Sequence, residues 1–578
     1  MPQGTMEGRA RGLVSSRHAP LLVFAFGVLL LLPSIWSETS VTDPDEYWRS
    51  LRTPLEMLER GSWLTPWLDG QPRLRKPPLL YWAILLNYTL FGVSLLAARI
   101  WGVLCGAGLA LCSCLIFREL FNGSGVPAGL ITLASVGVAY QSRIAMLDVP
   151  LGLFTALAVL FALRWGRTGR WRWILFSAAS LGGSFLVKGP VGFVFFAAAA
   201  VPALWVYRRW RFVLSRMPQL MGGLALLVAI CLPWPLAMWV RWPHFSEIVG
   251  QELAARHLGD LSAGFPLAVL GGAVGLVFPW SPVLVAAAAR ALGRARDPMA
   301  REERWLVAWY LGGTIPFFFM RTFEWYLIPM VPAMGVLCAN WLRDAPESSR
   351  GILMRLSLLM AAAGASVLCV LFLWFGLGPA LVAFCLCLVG TILWIAFTRP
   401  DSSVGMGAVA MLLTGLLGGM YPSLGVNALP ADLRRVIGPA PVAVYGSDQP
   451  VMLSVHLGRN VVPMGSQDAE GRLSLQRHAG FIFMEEDGEF VGVAKALGLR
   501  SERVGEFKTL YWRGSRLGRK DATLEDWKTA IRTRSLEGLR SRIRFYRTSP
   551  QQGPDESRPI GMSEAAALAA PIVVRPEE

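Results

Sequence analysis

The sequence predicts a polytopic α-helical membrane protein that ends in a small α/β domain, and three observations carry that prediction. The 578 residues are 54% hydrophobic and only 16% charged, with a mean hydropathy of +0.46, too apolar for an ordinary soluble domain. Uncharged runs of roughly 17 to 25 residues recur, the length a helix needs to cross the hydrocarbon core. After residue 425 the long runs stop, charge rises, and short β-rich stretches such as Pro441 to Tyr445 and Gly480 to Met484 take over.

In chain order the apolar runs fall near 20–36, 97–117, 125–141, 148–164, 172–187, 189–207, 218–240, 263–288, 304–320, 325–342, 352–374, 378–397 and 404–424, thirteen in all. The first follows Arg9, Arg11, Arg17 and His18 as a signal peptide would. It lacks a small-residue cleavage site and Glu38 and Glu46 follow soon after, so an uncleaved span is expected. Short cytoplasmic loops collect Lys and Arg. With the N-terminus inside, Arg118, the 164–172 and 208–216 arginines, the 290–304 group, the 343–355 group and Arg399 all fall on the inner side. The outer loops then hold Asp45, Glu46, Lys76, Asp148, Lys188, Glu252, Arg256, Arg321 and Tyr326.

The expected organisation is a membrane domain over 1–424, a small soluble α/β domain over 425–548 on the extracytoplasmic side, and a mobile tail over 549–578. Within the membrane domain, 37–91 is the first outer loop. Its Leu55, Met57, Leu58, Trp63 and Trp67 alternate with Arg52, Glu56, Glu59 and Arg60, the pattern of helices lying in the interface. Leu79 to Phe91 is short for a crossing and is expected to be re-entrant or juxtamembrane. A helix-like stretch, Phe490 to Leu497, ends at Gly498.

The eight cysteines all lie in apolar runs, without the histidine or cysteine partners of a zinc site, and read as small core residues. The net charge of +16 comes with no nucleic-acid motif. In a membrane chain it fits cytoplasmic loops facing anionic lipid.

Ionisable residues at a membrane boundary are costly and mark function. Asp45 and Glu46 stand in the first outer loop, where a carboxylate can take a proton from an incoming nucleophile or orient it; Asp43 reads as an exposed loop acid. Asp148, in Leu147-Asp148-Val149-Pro150, opens a span on the same side, either as partner to Asp45 or as an acid favoured by the helix dipole. Arg73-Leu74-Arg75-Lys76-Pro77-Pro78 precedes Tyr81 and Trp82, setting fixed cations at the depth of a lipid headgroup phosphate. Lys188, before Gly189-Pro190, separates two apolar runs and needs a carboxylate, a phosphate or water. Glu252 and Arg256 are spaced i, i+4 on a short outer helix, which by itself reads as a salt bridge. His244 and His257 are too far apart for a metal motif. Arg321 and Tyr326 interrupt two later runs with a guanidinium and a phenol.

Taken in order, Asp45-Glu46, Lys76-Pro77 before Tyr81-Trp82, Leu147 to Pro150, Lys188-Gly189, Leu232 to Trp234, Glu252 with Arg256, and Tyr326 with Pro329 resemble the GT-C membrane glycosyltransferases. The resemblance is to the bacterial ArnT-like branch related to protein O-mannosyltransferases. It implies transfer of a sugar from a polyprenyl-phosphate donor to a lipid (lipid A-like), glycan or protein acceptor at the outer face of the bacterial inner membrane. It implies Asp45 as leading carboxylate, Asp148 and Glu46 beside it, and Lys76, Arg321, Tyr326, Lys188 and Tyr81 toward the donor phosphate. Glu252 and Arg256 would be structural or acceptor-side. The chain departs from aminoarabinose transferases at Arg75 and Leu253, where those tend to carry an acid and a histidine, so no metal site is assigned. A transporter or flippase of an anionic substrate is the rival reading, although paired halves and midplane acids are missing. Reporter fusions in the loops bearing residues 45 and 148 should report the same compartment, and opposite compartments would overturn the shared site.

Overall fold

The computed structural model describes residues 18–254, 264–294, 296–320, 322–400, 403–445, 452–464, 480–484, 499–513, 516–519 and 521–550. Arg256, His257, Arg321, the expected helix Phe490 to Leu497 and the tail from 551 onward lie outside the described residues. The chain divides into two compact units. One comprises Met1–Ile35, Leu74–Leu80 and Arg99–Met420; the other comprises Trp36–Arg73, Tyr81–Ala98 and Tyr421–Glu578.

Among the described residues seven helices are long and apolar enough to cross a membrane: Leu95–Phe121, Asp148–Thr168, Met217–Arg241, Glu324–Asp344, Glu347–Trp374, Pro379–Thr398 and Ser403–Leu424. Shorter apolar helices, Ala19–Leu31, Leu79–Phe91, Val191–Val206 and Ser281–Gly293, accompany them. Some apolar runs fold as pieces because the backbone ladder is interrupted. The run at 125–141 becomes Val126–Leu133 and Val136–Gln141. The run at 304–320 changes at Ile315-Pro316 from the α-helix Arg301–Thr314 to the 3₁₀ turn Ile315–Phe319, since proline offers no amide to the ladder. Thirteen crossings therefore stay an expectation of the charge alternation.

Inside the first unit, charges satisfy backbone and one another. Helix Ala19–Leu31 ends just before Pro33, and its last carbonyls need donors where water is scarce. Buried Arg143 supplies them, from Nη1 to the Leu31 carbonyl at 2.6 Å and from Nη2 to the Leu30 carbonyl at 2.8 Å. Arg99 donates to the Ile35 carbonyl at 3.3 Å. Several arginines read as loop markers are neutralised locally. Glu119 accepts from Arg164 at 2.8 Å and Arg167 at 2.7 Å. Buried Glu303 accepts from Arg290 at 2.8 Å and Asn340 at 3.0 Å. The cysteines are all free; six are buried, Cys231 is half-buried, and Cys387 differs by facing outward from helix Pro379–Thr398.

In the second unit, the first outer loop departs from its expected form. Asp43 is buried, not exposed: its Oδ1 accepts the Asp45 amide at 2.8 Å, the local bond short acidic side chains make to amides left open where a helix begins. Helix Arg52–Glu59 buries Leu55 and Met57 but also Arg52 and Glu56, each 1% exposed, so it is no simple interfacial helix. The cause is the next hairpin, β1 (Trp67–Leu68) and β2 (Gln71–Pro72), which turns through Asp69 and Gly70 at φ 55° and 73°. This two-residue turn with both φ positive favours Asp-Gly. Glu56 accepts the Asp69 amide at 2.7 Å and the Gly70 amide at 3.1 Å, and Arg52 reaches Asp69 at 2.5 Å and Glu56 at 3.8 Å.

The rest of this unit is the α/β part. Strands β3 (Val442–Tyr445), β4 (Val462–Met464), β5 (Gly480–Met484), β6 (Leu499–Thr509), β7 (Trp512–Arg513), β8 (Arg516–Leu517) and β9 (Ser541–Pro550) follow. Five form one sheet in the order β4-β3-β5-β9-β6, and β7 pairs with β8. Pairing is parallel from β4 through β5 and antiparallel around β9. Val442, Val444, Phe481, Phe483, Ile543 and Phe545 form a core with the short helices Leu433–Ile437 and Leu453–Leu457. Both β-rich runs named from sequence are thus strands. The loop is tied to this part by Glu38 with His456 Nδ1, by the Asn460 amide donating to Glu59 at 2.6 Å, and by Arg52 donating to the Val461 carbonyl at 3.5 Å.

Burial, the largest effect on Glu56, raises its carboxyl pKa above the ordinary 4.5 against the opposing turn amides and Arg52. The folded state therefore holds this proton more tightly than the unfolded chain, so the stability it contributes is full below pH 4.5 and is lost as pH rises through the folded value. Thermal unfolding of the detergent-solubilised protein between pH 4 and 7 should show that downward slope, and Glu56→Gln should flatten it.

Candidate functional site

The first unit brings three of the expected site residues together. Helices Asp148–Thr168 and Trp171–Lys188 are joined across Gly169 and Arg170 and run antiparallel, so the first residue of one and the last of the other meet at the same end. Roughly 30 and 26 Å of rise separate that end from the connecting turn. The two lengths match, which a helical hairpin needs if its free ends are to coincide.

At that end Lys188 Nζ donates to Asp148 Oδ1 at 2.5 Å. The side chains are 7% and 2% exposed. The helix dipoles favour both charges, an acid in a first turn and a base in a last turn. Lys188 Nζ also lies 3.8 Å from the centroid of the Tyr326 ring, a cation–π contact. Tyr326 belongs to the 3₁₀ stretch Glu324–Met330, which continues into helix Val331–Asp344. Beyond Lys188, Gly189 takes φ 75° and lets the chain leave the helix sharply before Val191–Val206. Of the three partners the sequence left open for Lys188, the structure contains the carboxylate, and it is Asp148.

Lys76 is half-buried in the non-helical segment before Leu79–Phe91, with Pro77 and Pro78 fixing the backbone after it. Arg75 beside it is exposed.

The second unit holds Asp45 and Glu46, and the two adjacent acids differ. Glu46 is fully buried and accepts the Thr42 hydroxyl at 2.6 Å. Asp45 is half-exposed, its side chain 52% accessible, and is paired with Arg49 one turn on. Asp45 is thus open to a ligand, whereas Glu46 is built into the loop. The Arg49 partner was within reach of sequence reasoning, since i, i+4 charge pairs meet on a helical face. Tyr81 is 1% exposed and packs with Met57 and Leu85; its hydroxyl accepts from Arg73 Nε at 3.0 Å. Glu252 lies in helix Phe245–Ala254. His244 is exposed beside Glu247 at 3.5 Å, and among the described residues no three His, Cys, Asp or Glu side chains gather to hold a metal.

Residues 75–236 match the family model described as dolichyl-phosphate-mannose-protein mannosyltransferase. An undecaprenyl phosphate-alpha-4-amino-4-deoxy-L-arabinose arabinosyl transferase of Pseudomonas paraeruginosa is 31% identical over 350 residues, covering 56% of this chain and 60% of the relative. The enzyme of the same description from Pectobacterium carotovorum is 25% identical over 461 residues, covering 72% and 78%. The chain therefore spans about three-fifths of the Pseudomonas relative and more of the Pectobacterium one. Among solved structures, ArnT from Cupriavidus metallidurans bound to undecaprenyl phosphate superposes with a TM-score of 0.68 at 19% identity, over 92% of this chain and 98% of that one. That likeness establishes the polytopic GT-C fold with its small C-terminal α/β part, as the sequence led one to expect.

Replacing Lys188 with methionine strands the Asp148 carboxylate in the unit's interior, which costs about 3–5 kcal/mol. Chemical unfolding in detergent should show that loss for Lys188→Met and recovery of most of it in Asp148→Asn/Lys188→Met. Equal destabilisation in single and double variants would contradict the pairing.

Proposed function

We propose that this chain, which has the GT-C fold in its ArnT-like form, transfers a sugar from a polyprenyl-phosphate donor to an acceptor at the outer face of the bacterial inner membrane. The observation that carries the reading is this fold with the half-exposed carboxylate of Asp45 in its first outer loop. The acceptor in this reading is a lipid of the lipid A kind, with glycan or protein as the finer alternatives, and the α/β part is extracytoplasmic.

The reaction needs little covalent work from the protein. An acceptor oxygen attacks the anomeric carbon, the bond from that carbon to the phosphate oxygen breaks, and polyprenyl phosphate leaves with the bonding electrons. The growing negative charge on phosphate is stabilised by fixed cations where water is sparse. Lys76 is assigned that role, with Arg321 and Tyr326. Asp45 takes the proton of a hydroxyl acceptor as general base; with an acceptor that is already a phosphate anion, it orients without taking a proton. Lys188, committed to Asp148 at 2.5 Å, places its charge for the donor without being a mobile phosphate ligand, and Asp148 holds it there. Inversion at the anomeric carbon follows from this single displacement.

Full-length protein in liposomes, given radiolabelled undecaprenyl-phosphate sugars and candidate acceptors, tests the reading. Wild type should form a new glycosidic bond, and Asp45→Asn should lose about 100-fold or more in kcat with a hydroxyl acceptor. Sugar flux across the bilayer with no new bond would replace the enzyme with a transporter.

A further inference from the structure

The chain leaves the second unit after Arg73 and re-enters it at Tyr81, and the excursion between them, Leu74–Leu80, carries Lys76. Both ends of that excursion are fastened. The Arg73 amide donates to the Pro66 carbonyl at 2.8 Å, which pins Arg73 to the β1–β2 hairpin. The guanidinium of Arg73 donates from Nε to the Tyr81 hydroxyl at 3.0 Å, across the neck of the seven-residue segment. Tyr81 is itself immobile, 1% exposed between Met57 and Leu85. Its neighbour Trp82 donates from the indole to the Trp63 carbonyl at 2.5 Å.

A segment closed at its neck has far fewer conformations than an open loop of the same length, and Pro77 with Pro78 removes more. The Arg73–Tyr81 bond spans residues eight apart and does not belong to any helix or strand ladder. It stabilises little else that the packing of Tyr81 does not already hold. We propose that Arg73 and Tyr81 are positioning residues, a clamp that fixes how Lys76 is presented to the donor phosphate. The clamp rests on the assignment of Lys76 under the proposed function. It also gives Tyr81 a different task from direct phosphate contact, because its hydroxyl is spent on Arg73 and its ring is buried.

The test is a double-mutant cycle on the full chain in detergent micelles, reading undecaprenyl phosphate affinity by calorimetry and the thermal midpoint alongside. Tyr81→Phe keeps the ring and deletes the acceptor. It should weaken undecaprenyl phosphate binding about five- to tenfold, the scale of one hydrogen bond to a charged group, with the thermal midpoint nearly unchanged. In the Lys76→Ala background the same substitution should add no further loss, and Arg73→Lys, which can still donate, should recover part of the affinity that Arg73→Met loses. The clamp is overturned if Tyr81→Phe binds like wild type, or if its effect is undiminished without Lys76. If Lys76→Ala itself leaves binding unchanged, the assignment of Lys76 fails first and the clamp falls with it. If Lys76→Ala weakens binding and Tyr81→Phe does not, the clamp alone fails.

Discussion

The ion pair between Asp148 and Lys188 is the constraint around which the first unit's site is arranged. Neither charge is tolerable alone where the side chains are 2% and 7% exposed, so each fixes the position of the other. Because they lie at the open end of a helical hairpin, the pair also sets how those two helices align along their axes. Tyr326, from a segment well over a hundred residues later, brings its ring against the lysine. Three separate parts of the chain are thereby held to one point by electrostatics. A bilayer interior, with no water to relieve a misplaced charge, makes such a point exacting.

The first outer loop follows the same rule with different partners. Arg52, Glu56 and Asp69 neutralise one another in part while Glu56 also caps the hairpin turn. Glu46 is buried against Thr42. Asp45 stands apart because its one printed partner, Arg49, is itself half-exposed, so substrate can compete with it at small cost, as exposed pairs contribute only about 0–1 kcal/mol. The difference between a structural acid and a reactive one is thus drawn between two adjacent residues, by burial alone.

Much of this was legible in the sequence, and the failures share a cause. The apolar runs, the change of character after residue 425 and the strands at 441–445 and 480–484 follow from composition and local periodicity. Lys188 was marked as needing a counter-charge because a lone ammonium between apolar runs is physically awkward. Its identity as the partner of Asp148 depended on the hairpin aligning residues 40 apart. Asp43, Arg52 and Glu56 were misplaced because their alternation with apolar residues looks amphipathic, whereas their partners are local turns and, for Arg52, a carbonyl at Val461. Arg143 and Arg99 gave no signal, since a residue that caps distant carbonyls obeys no spacing rule.

The basic run before Leu79 shows how these constraints converge on an anion. Arg73, Arg75 and Lys76 place three positive charges within four residues, an arrangement that repels itself in any medium of low dielectric. Arg73 is drawn away to Tyr81, a neutral acceptor that holds the guanidinium without cancelling its charge. Arg75 stays in solvent, and Lys76 is half-buried between them behind two prolines. The local potential is therefore positive and rigidly held, and rigidity is what distinguishes it from the flexible arginines of the inner loops. A charge that cannot rearrange gains most from a ligand that arrives with the opposite sign already concentrated on a few oxygens, and a phosphate tethered to a membrane-embedded tail meets that requirement at this depth.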